Sequence, residues 1–178
     1  GAFDVGCKPD AQVATTRAYL VADQSAAGYT LPPGFRIVSI AEEPDYHGKV
    51  LVHRNGFSGQ NDVRPIDLLT YAYSRESNAY DPALDISVVA PDGQHVATCV
   101  AFLDPVNNIS EIERVCTHAD HRQRGYAFAA IRACCQRLHE RGYARAYITG
   151  YSGEANGLYE KLGPVNRTRW FRYELGRP

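Results

Sequence analysis

Two arginines and a glycine at the head of an amphipathic run are the residues of this chain best suited to chemistry. His118-Ala119-Asp120-His121-Arg122-Gln123-Arg124-Gly125-Tyr126-Ala127-Phe128 joins an apolar strand pattern, Ile109 to Thr117, to a run in which Ala127, Ile131, Cys134, Cys135 and Leu138 recur at spacings of three and four. A helix is expected to open there. Its first backbone N–H groups lack intrahelical partners and carry the positive end of the dipole, so this basic turn is suited to hold an anion, phosphate above all. Gly125 and the small Ala127 let the backbone come close, and Arg122 and Arg124 can add charge-assisted hydrogen bonds.

Other chemistries find less support. His118 and His121 stand at i, i+3 with no third ligand evident, so they are read as loop histidines near phosphate, with no metal. Cys7, Cys99, Cys116, Cys134 and Cys135 show neither metal spacing nor a disulfide framework and are expected to be buried free thiols of a reducing cytoplasm. The chain has 178 residues, 44% hydrophobic and 22% charged, and a formal net charge of -1. That balance excludes a dedicated nucleic-acid binder, which would carry a strong basic excess. No apolar run approaches the ~20 residues of a membrane span and no leader pattern is visible, so a soluble, cytoplasmic protein is expected. Methionine is absent even at position 1, so the chain is expected to be a piece of something longer.

The elements that must position the turn follow from periodicity and breakers. Residues 1–33 are small and polar with Pro9, Gly28, Pro32 and Pro33, and are expected as an N-terminal extension or linker, the tail of a preceding domain. Alternation over Val13 to Val21 allows one strand there. From 34 to 178 the order reads strand (Phe35 to Ile40), helix (Tyr46 to Phe57), a loop (Asn55 to Asp62), and helix (Ile66, Leu69, Thr70, Tyr73). Then come strands Leu84 to Ala90, His95 to Leu103 and Ile109 to Thr117, the long helix, a strand through Ala144, Ala146 and Ile148, a short helix with Leu158 and Leu162, and a strand Thr168 to Leu175. The fold class is α/β: a mixed, mostly antiparallel sheet with flanking helices and a crossover helix after the fourth strand.

Arg122-Gln123-Arg124-Gly125-Tyr126-Ala127 fits the R/Q-x-x-G-x-G/A motif of the GCN5-related N-acetyltransferases (GNAT). Ala155-Asn156-Gly157-Leu158-Tyr159-Glu160-Lys161-Leu162-Gly163 resembles that family's A-N-x-L-Y-E-x-L-G helix. The resemblance covers about Phe35 to Leu175, and Tyr80-Asp81-Pro82 through Cys116-Thr117-His118 looks like the C-terminal member of tandem-GNAT proteins. It implies a GNAT domain over 34–178 and an acetyl-CoA-dependent N-acetyltransferase. The acetyl group would move from coenzyme A to an amine by direct attack in a ternary complex; the alternative is a non-catalytic acyl-CoA-binding sensor or scaffold.

The resemblance also assigns residues. Val115, Cys116 and Thr117 would pair with pantetheine, and Arg122, Gln123, Arg124, Gly125, Tyr126, Ala127 and Phe128 would wrap the pyrophosphate. Tyr159 matches the general acid. Glu113 is the candidate base, acting through a water, with Glu111 in reserve on the same strand face; a β-bulge nearby would re-aim such side chains. Ser152 stands where the family often has a cofactor-binding Asn, with Asn156 the candidate to compensate, and Pro164, Ala119 and His121 also depart from the usual pattern. The expected partners are a small-molecule or peptide amine, with a homodimer or a second GNAT domain open. The acceptor pocket is expected from the first two helices, the loop Asn55 to Asp62 and the later strand ends, with Phe57, Tyr71, Tyr73 and Trp170 as candidate lining.

Overall fold

The computed structural model describes residues 9–173. In chain order they form β1 (Pro9–Leu20), α1 (Val21–Ala27), β2 (Arg36–Ser39), α2 (Tyr46–Ser58), α3 (Pro65–Arg75), β3 (Tyr80–Val89), β4 (His95–Asp104) and β5 (Ile109–Thr117). A 3-10 turn (Ala119–His121), α4 (Tyr126–Glu140), β6 (Arg145–Gly150), α5 (Gly153–Glu160) and β7 (Asn166–Tyr173) complete them. One sheet holds all seven strands in the order β2-β3-β4-β5-β6-β1-β7. Every neighbouring pair is antiparallel except β5 and β6. Parallel neighbours need a crossover, and α4 supplies it. This is the mixed sheet that the pattern of apolar residues predicts; Leu175 and Cys7 lie outside the described residues.

One expectation requires correction. Residues 9–20, read as part of an extension or linker, belong to the sheet: β1 pairs Thr15 to Leu20 with β6 on one side and Pro9 to Ala18 with β7 on the other. α1 then seats Val21 and Gln24 in the interior, and the Gln24 amide donates to the Leu162 carbonyl at 2.7 Å. The signal was weak because β1 carries Thr16 and Arg17, whose side chains are satisfied by residues more than 130 positions away. In chain order the crossover therefore follows the fifth strand. The loop expected at Asn55 to Asp62 is also shorter, since α2 runs on to Ser58 and stops at Gly59 in the left-handed region.

The core follows from alternation. Ala97, Cys99 and Ala101 of β4 and Ile112 of β5 pack against the small-residue face of α4, with Ala129, Ala130, Cys134 and Leu138 buried. Small side chains let helix and sheet approach closely. On the opposite face, α2 sends Lys49 into the sheet, where its fully buried ammonium pairs with Asp85 and donates to the Ile86 carbonyl at 2.7 Å. The hydroxyls of Tyr71 and Tyr80 donate to the same Asp85 carboxylate, so the buried charges are met from several sides. That network pins α2 and α3 over β3 to β5, beside the chemistry.

Candidate active site

The basic turn opens α4 as its residues dictate. Gly125 caps the helix at φ 82, Gln123 sits at φ 60, and all four residues from Arg122 to Gly125 are exposed. A Cβ on Gly125 would meet nothing within 4 Å, so the space over the helix start is open for a ligand. Two residues of α2 anchor the approach: Asn55 Oδ1 accepts the Ala119 N–H at 2.6 Å, and the Gly56 carbonyl accepts from Arg122 Nη2 at 2.8 Å. Arg122 is thus partly committed to holding the turn. Gly56 itself lies against β5, where a Cβ would come within 2.9 Å of Cys116 Cβ.

β5 and β6 leave a wedge. They bond only through Ile109 to Glu111 and Arg145 to Tyr147, after which β5 continues to Thr117 and β6 to Gly150 with no bonding between them. At the same level β5 carries a bulge: Glu113 opposes Val100 and Cys116 opposes Thr98, leaving Arg114 and Val115 against one residue of β4, with Arg114 at φ 52. An extra residue bends a strand and re-aims its side chains. Glu111, Glu113 and, past the bulge, Cys116 all project to the α2 face, since their partners Phe102, Val100 and Thr98 share it.

The electrostatics differ among these groups. Burial first, and the neighbouring Glu111 second, push the Glu113 carboxyl above the ordinary carboxylate value. Burial pushes the Cys116 thiol up to about 12, and its Sγ contacts the Val52 carbonyl at 3.6 Å. Tyr159, 5% exposed on α5, has its phenol raised by burial and then by the charge of Glu113, so the two stand within electrostatic reach. α5 can lie this close because Gly150 has no side chain; a Cβ there would be 3.2 Å from the Tyr159 ring and 2.5 Å from Asn156 Oδ1.

Ser152 and Asn156 are placed away from a cofactor-only role. The Ser152 hydroxyl caps α5, accepting from Ala155 N–H at 3.2 Å. Asn156 Oδ1 accepts from the buried Arg17 at 2.7 Å, leaving its amide. Arg17 also pairs with Glu160, which Arg167 holds from β7. Tyr19 donates to the Tyr159 carbonyl at 2.7 Å. No motif flagged Arg17 or Tyr19; only the strand pairing brings β1 beside α5. His118 and His121 stand with ring centroids 5.8 Å apart, and among the described residues no three His, Cys, Asp or Glu side chains group as metal ligands.

Two cavities open on the α2 face. The larger, about 740 Å³, lies at the closed end of the wedge and is lined by Glu111, Tyr147, Thr149, Phe102, Asp104 and Trp170 among others. The smaller, about 410 Å³, runs between α2 and α3 past His53, Phe57, Tyr71 and the bulged Arg114. Of the aromatic residues expected at an acceptor pocket, Trp170 lines the first, Phe57 and Tyr71 the second, and Tyr73 is exposed without lining either.

An exposed, glycine-opened helix start, a wedge between parallel strands and a buried tyrosine beside β6 thus stand near one another. The acetyltransferase (GNAT) family matches residues 56–163, more than half of the chain, and the chain belongs to that family. No curated protein matches the sequence. Among solved structures, the fold resembles a GCN5-related N-acetyltransferase from Sphaerobacter thermophilus at 20% identity and TM-score 0.69, covering 94% of this chain and 51% of that one. It also resembles a tandem GNAT protein from the clavulanic acid biosynthesis pathway at 16% identity and TM-score 0.70, covering 97% and 57%. The Escherichia coli ribosomal-protein-S18-alanine N-acetyltransferase aligns at 18% identity and TM-score 0.57, covering 72% and 76%. The chain thus spans little more than half the length of the first two of these relatives. Among the described residues no helix is long and apolar enough to cross a membrane.

Proposed function

We propose that the protein is an acetyl-CoA-dependent N-acetyltransferase that passes the acetyl group directly to an amine in a ternary complex. The observation that carries the reading is the wedge between β5 and β6, open beyond Glu111 and Tyr147, with the basic turn leading from one strand and Tyr159 beside the other. Acetyl-CoA supplies the activated acetyl group. The turn from Arg122 to Phe128 holds the pyrophosphate, and the main chain of Val115 to Thr117, unpaired toward β6, holds pantetheine. Glu113, acting through a water, takes a proton from the incoming ammonium, for which its raised carboxyl is a better base than an ordinary glutamate. The amine nitrogen bonds to the acetyl carbon, the C–S bond breaks as Tyr159 gives its proton to the departing sulfur, and the nitrogen's second proton returns to the Tyr159 phenolate. Cys116 takes no covalent part: its thiol is buried, held protonated and turned to α2.

The chain is read as one acetyltransferase domain over residues 34–178, completed by the strand and helix of 9–27, within a longer protein of tandem organisation. Supporting this are the likeness to a tandem protein and the share of it that the chain covers. A second reading, a non-catalytic acyl-CoA sensor, draws on the commitment of Ser152 to capping and of Asn156 to Arg17. Mixing the protein with acetyl-CoA and a panel of amines separates the two. Release of free thiol that depends on the amine supports transfer; binding of acetyl-CoA with no thiol release on any amine supports the sensor; no binding removes both.

A further inference from the structure

We infer that the acceptor is an ammonium cation on an aromatic or otherwise apolar body, carrying no carboxylate or phosphate, and that it is taken in the bowl between β4, β5, β6, β1 and β7 with Trp170 as its platform. This rests on the acetyltransferase reading and names the substrate class of the same site.

Position comes first. The bowl touches Glu111 and Tyr147, the last bonded pair before β5 and β6 part, so its floor is the vertex at which an acetyl group lying in the wedge would meet its acceptor. Its 740 Å³ falls within the roughly 300–1,000 Å³ of small-molecule sites. Its charge is one-sided: Asp104 and Glu111 line it, and among the described residues no Lys, Arg or His does. Asp104 accepts two hydrogen bonds from Asn107, which lower its pKa and keep it ionised. A cation is drawn in and an added anion repelled. The smaller groove carries Arg54, Arg64 and Arg114 on its walls against one carboxylate, Asp67, which pairs with the first two.

The platform is fixed in advance. Trp170, 53% exposed on β7, donates its indole N–H to Thr16 Oγ1 at 2.8 Å, and that hydroxyl meets Thr149 Oγ1 at 2.8 Å. The chain of contacts ties the indole to β1 and β6, leaving the ring face to a ligand. Phe102, Tyr147 and Tyr151 add further apolar surface around the same space. A held ring costs little to order on binding and attracts both flat apolar groups and cations.

Trp170 is the only tryptophan in the chain, so its emission reports the bowl directly. With 2-phenylethylamine, saturable quenching and acetyl-CoA-dependent thiol release are expected, at a KM about tenfold or more below that of phenylalanine, which differs by one carboxylate. Trp170→Ala should raise the KM for 2-phenylethylamine about tenfold while the KM for acetyl-CoA stays fixed, and Trp170→Phe should restore most of the loss. Turnover of 2-phenylethylamine with no quenching overturns the inference by moving the acceptor elsewhere. So does phenylalanine or glucosamine as the better acceptor, with the transfer reading left standing. Quenching with no thiol release on any amine instead removes transfer and keeps the bowl as a site for apolar cations.

Discussion

The hydroxyl of Tyr19 donates a 2.7 Å hydrogen bond to the main-chain carbonyl of Tyr159. That bond ties β1 to the helix carrying the proposed acid, inside the core and across 140 positions of sequence. Tyr19 is 1% exposed, so its phenol has no water to turn to if the partner is lost. The N-terminal strand therefore positions the site as well as completing the sheet.

Tyr19→Phe removes the shorter of two bonds to the Tyr159 carbonyl, which keeps the 3.3 Å bond from Leu162 N–H. A loss of about 0.5–1.5 kcal/mol is expected, read from urea unfolding midpoints. The same variant should lower kcat with the KM for acetyl-CoA little changed, because α5 moves while the pyrophosphate turn on α4 does not. An unchanged midpoint would show that the bond contributes nothing.

Tyr159→Phe keeps the ring packed against Gly150 and deletes only the proton. It should cut kcat by about 10²-fold or more, with acetyl-CoA binding by calorimetry within twofold of the parent. Parental turnover would take Tyr159 out of the mechanism.

Glu113 titrates above the ordinary glutamate value because burial and then Glu111 oppose its charge. As a base it works only when deprotonated, so kcat/KM should fall on the acid side through an apparent pKa above 4.5. Glu113→Gln should flatten that limb and lower the plateau; a limb that survives unchanged in the variant belongs to another group.

Arg167 first, and then Arg17, hold the Glu160 carboxyl down to about 2 from 4.5. A carboxylate depressed in the folded state stabilises it fully above the unfolded value and loses that stabilisation as pH falls through the folded one. Wild type and Glu160→Gln should therefore differ in Tm at neutral pH and converge between about 4.5 and 2. Glu160 is largely solvent-facing, so the gap at neutral pH should be modest. A gap that persists at the acid end would refute the ion-pair account.

Gly125→Ala tests the turn. No atom lies within 4 Å of the added Cβ, so the structural cost is that of a side chain at φ 82, about 1 kcal/mol. If the turn cradles pyrophosphate, the KM for acetyl-CoA should rise well beyond what that strain explains, with the acceptor KM unaffected. Equal shifts in both would argue against a dedicated phosphate contact.

The sequence alone was enough for the elements from β2 to β7 and for the turn, because each is a local pattern: apolar alternation, i, i+4 spacing, and a glycine where the chain must enter the left-handed region. Arg122 to Phe128 and Ala155 to Gly163 carried the family by the same local logic. Tertiary structure decided what lies between distant segments. It put β1 between β6 and β7, set Arg17 and Tyr19 against α5, spent Ser152 on capping α5 and the Asn156 carbonyl oxygen on Arg17, and brought Trp170 and Glu111 to the walls of one cavity. Polar strands such as β1 leave no strong period because hydrogen bonds to partners far along the chain, rather than one apolar face, satisfy them. The acceptor bowl likewise belongs to five strands at once, so no stretch of sequence contains it.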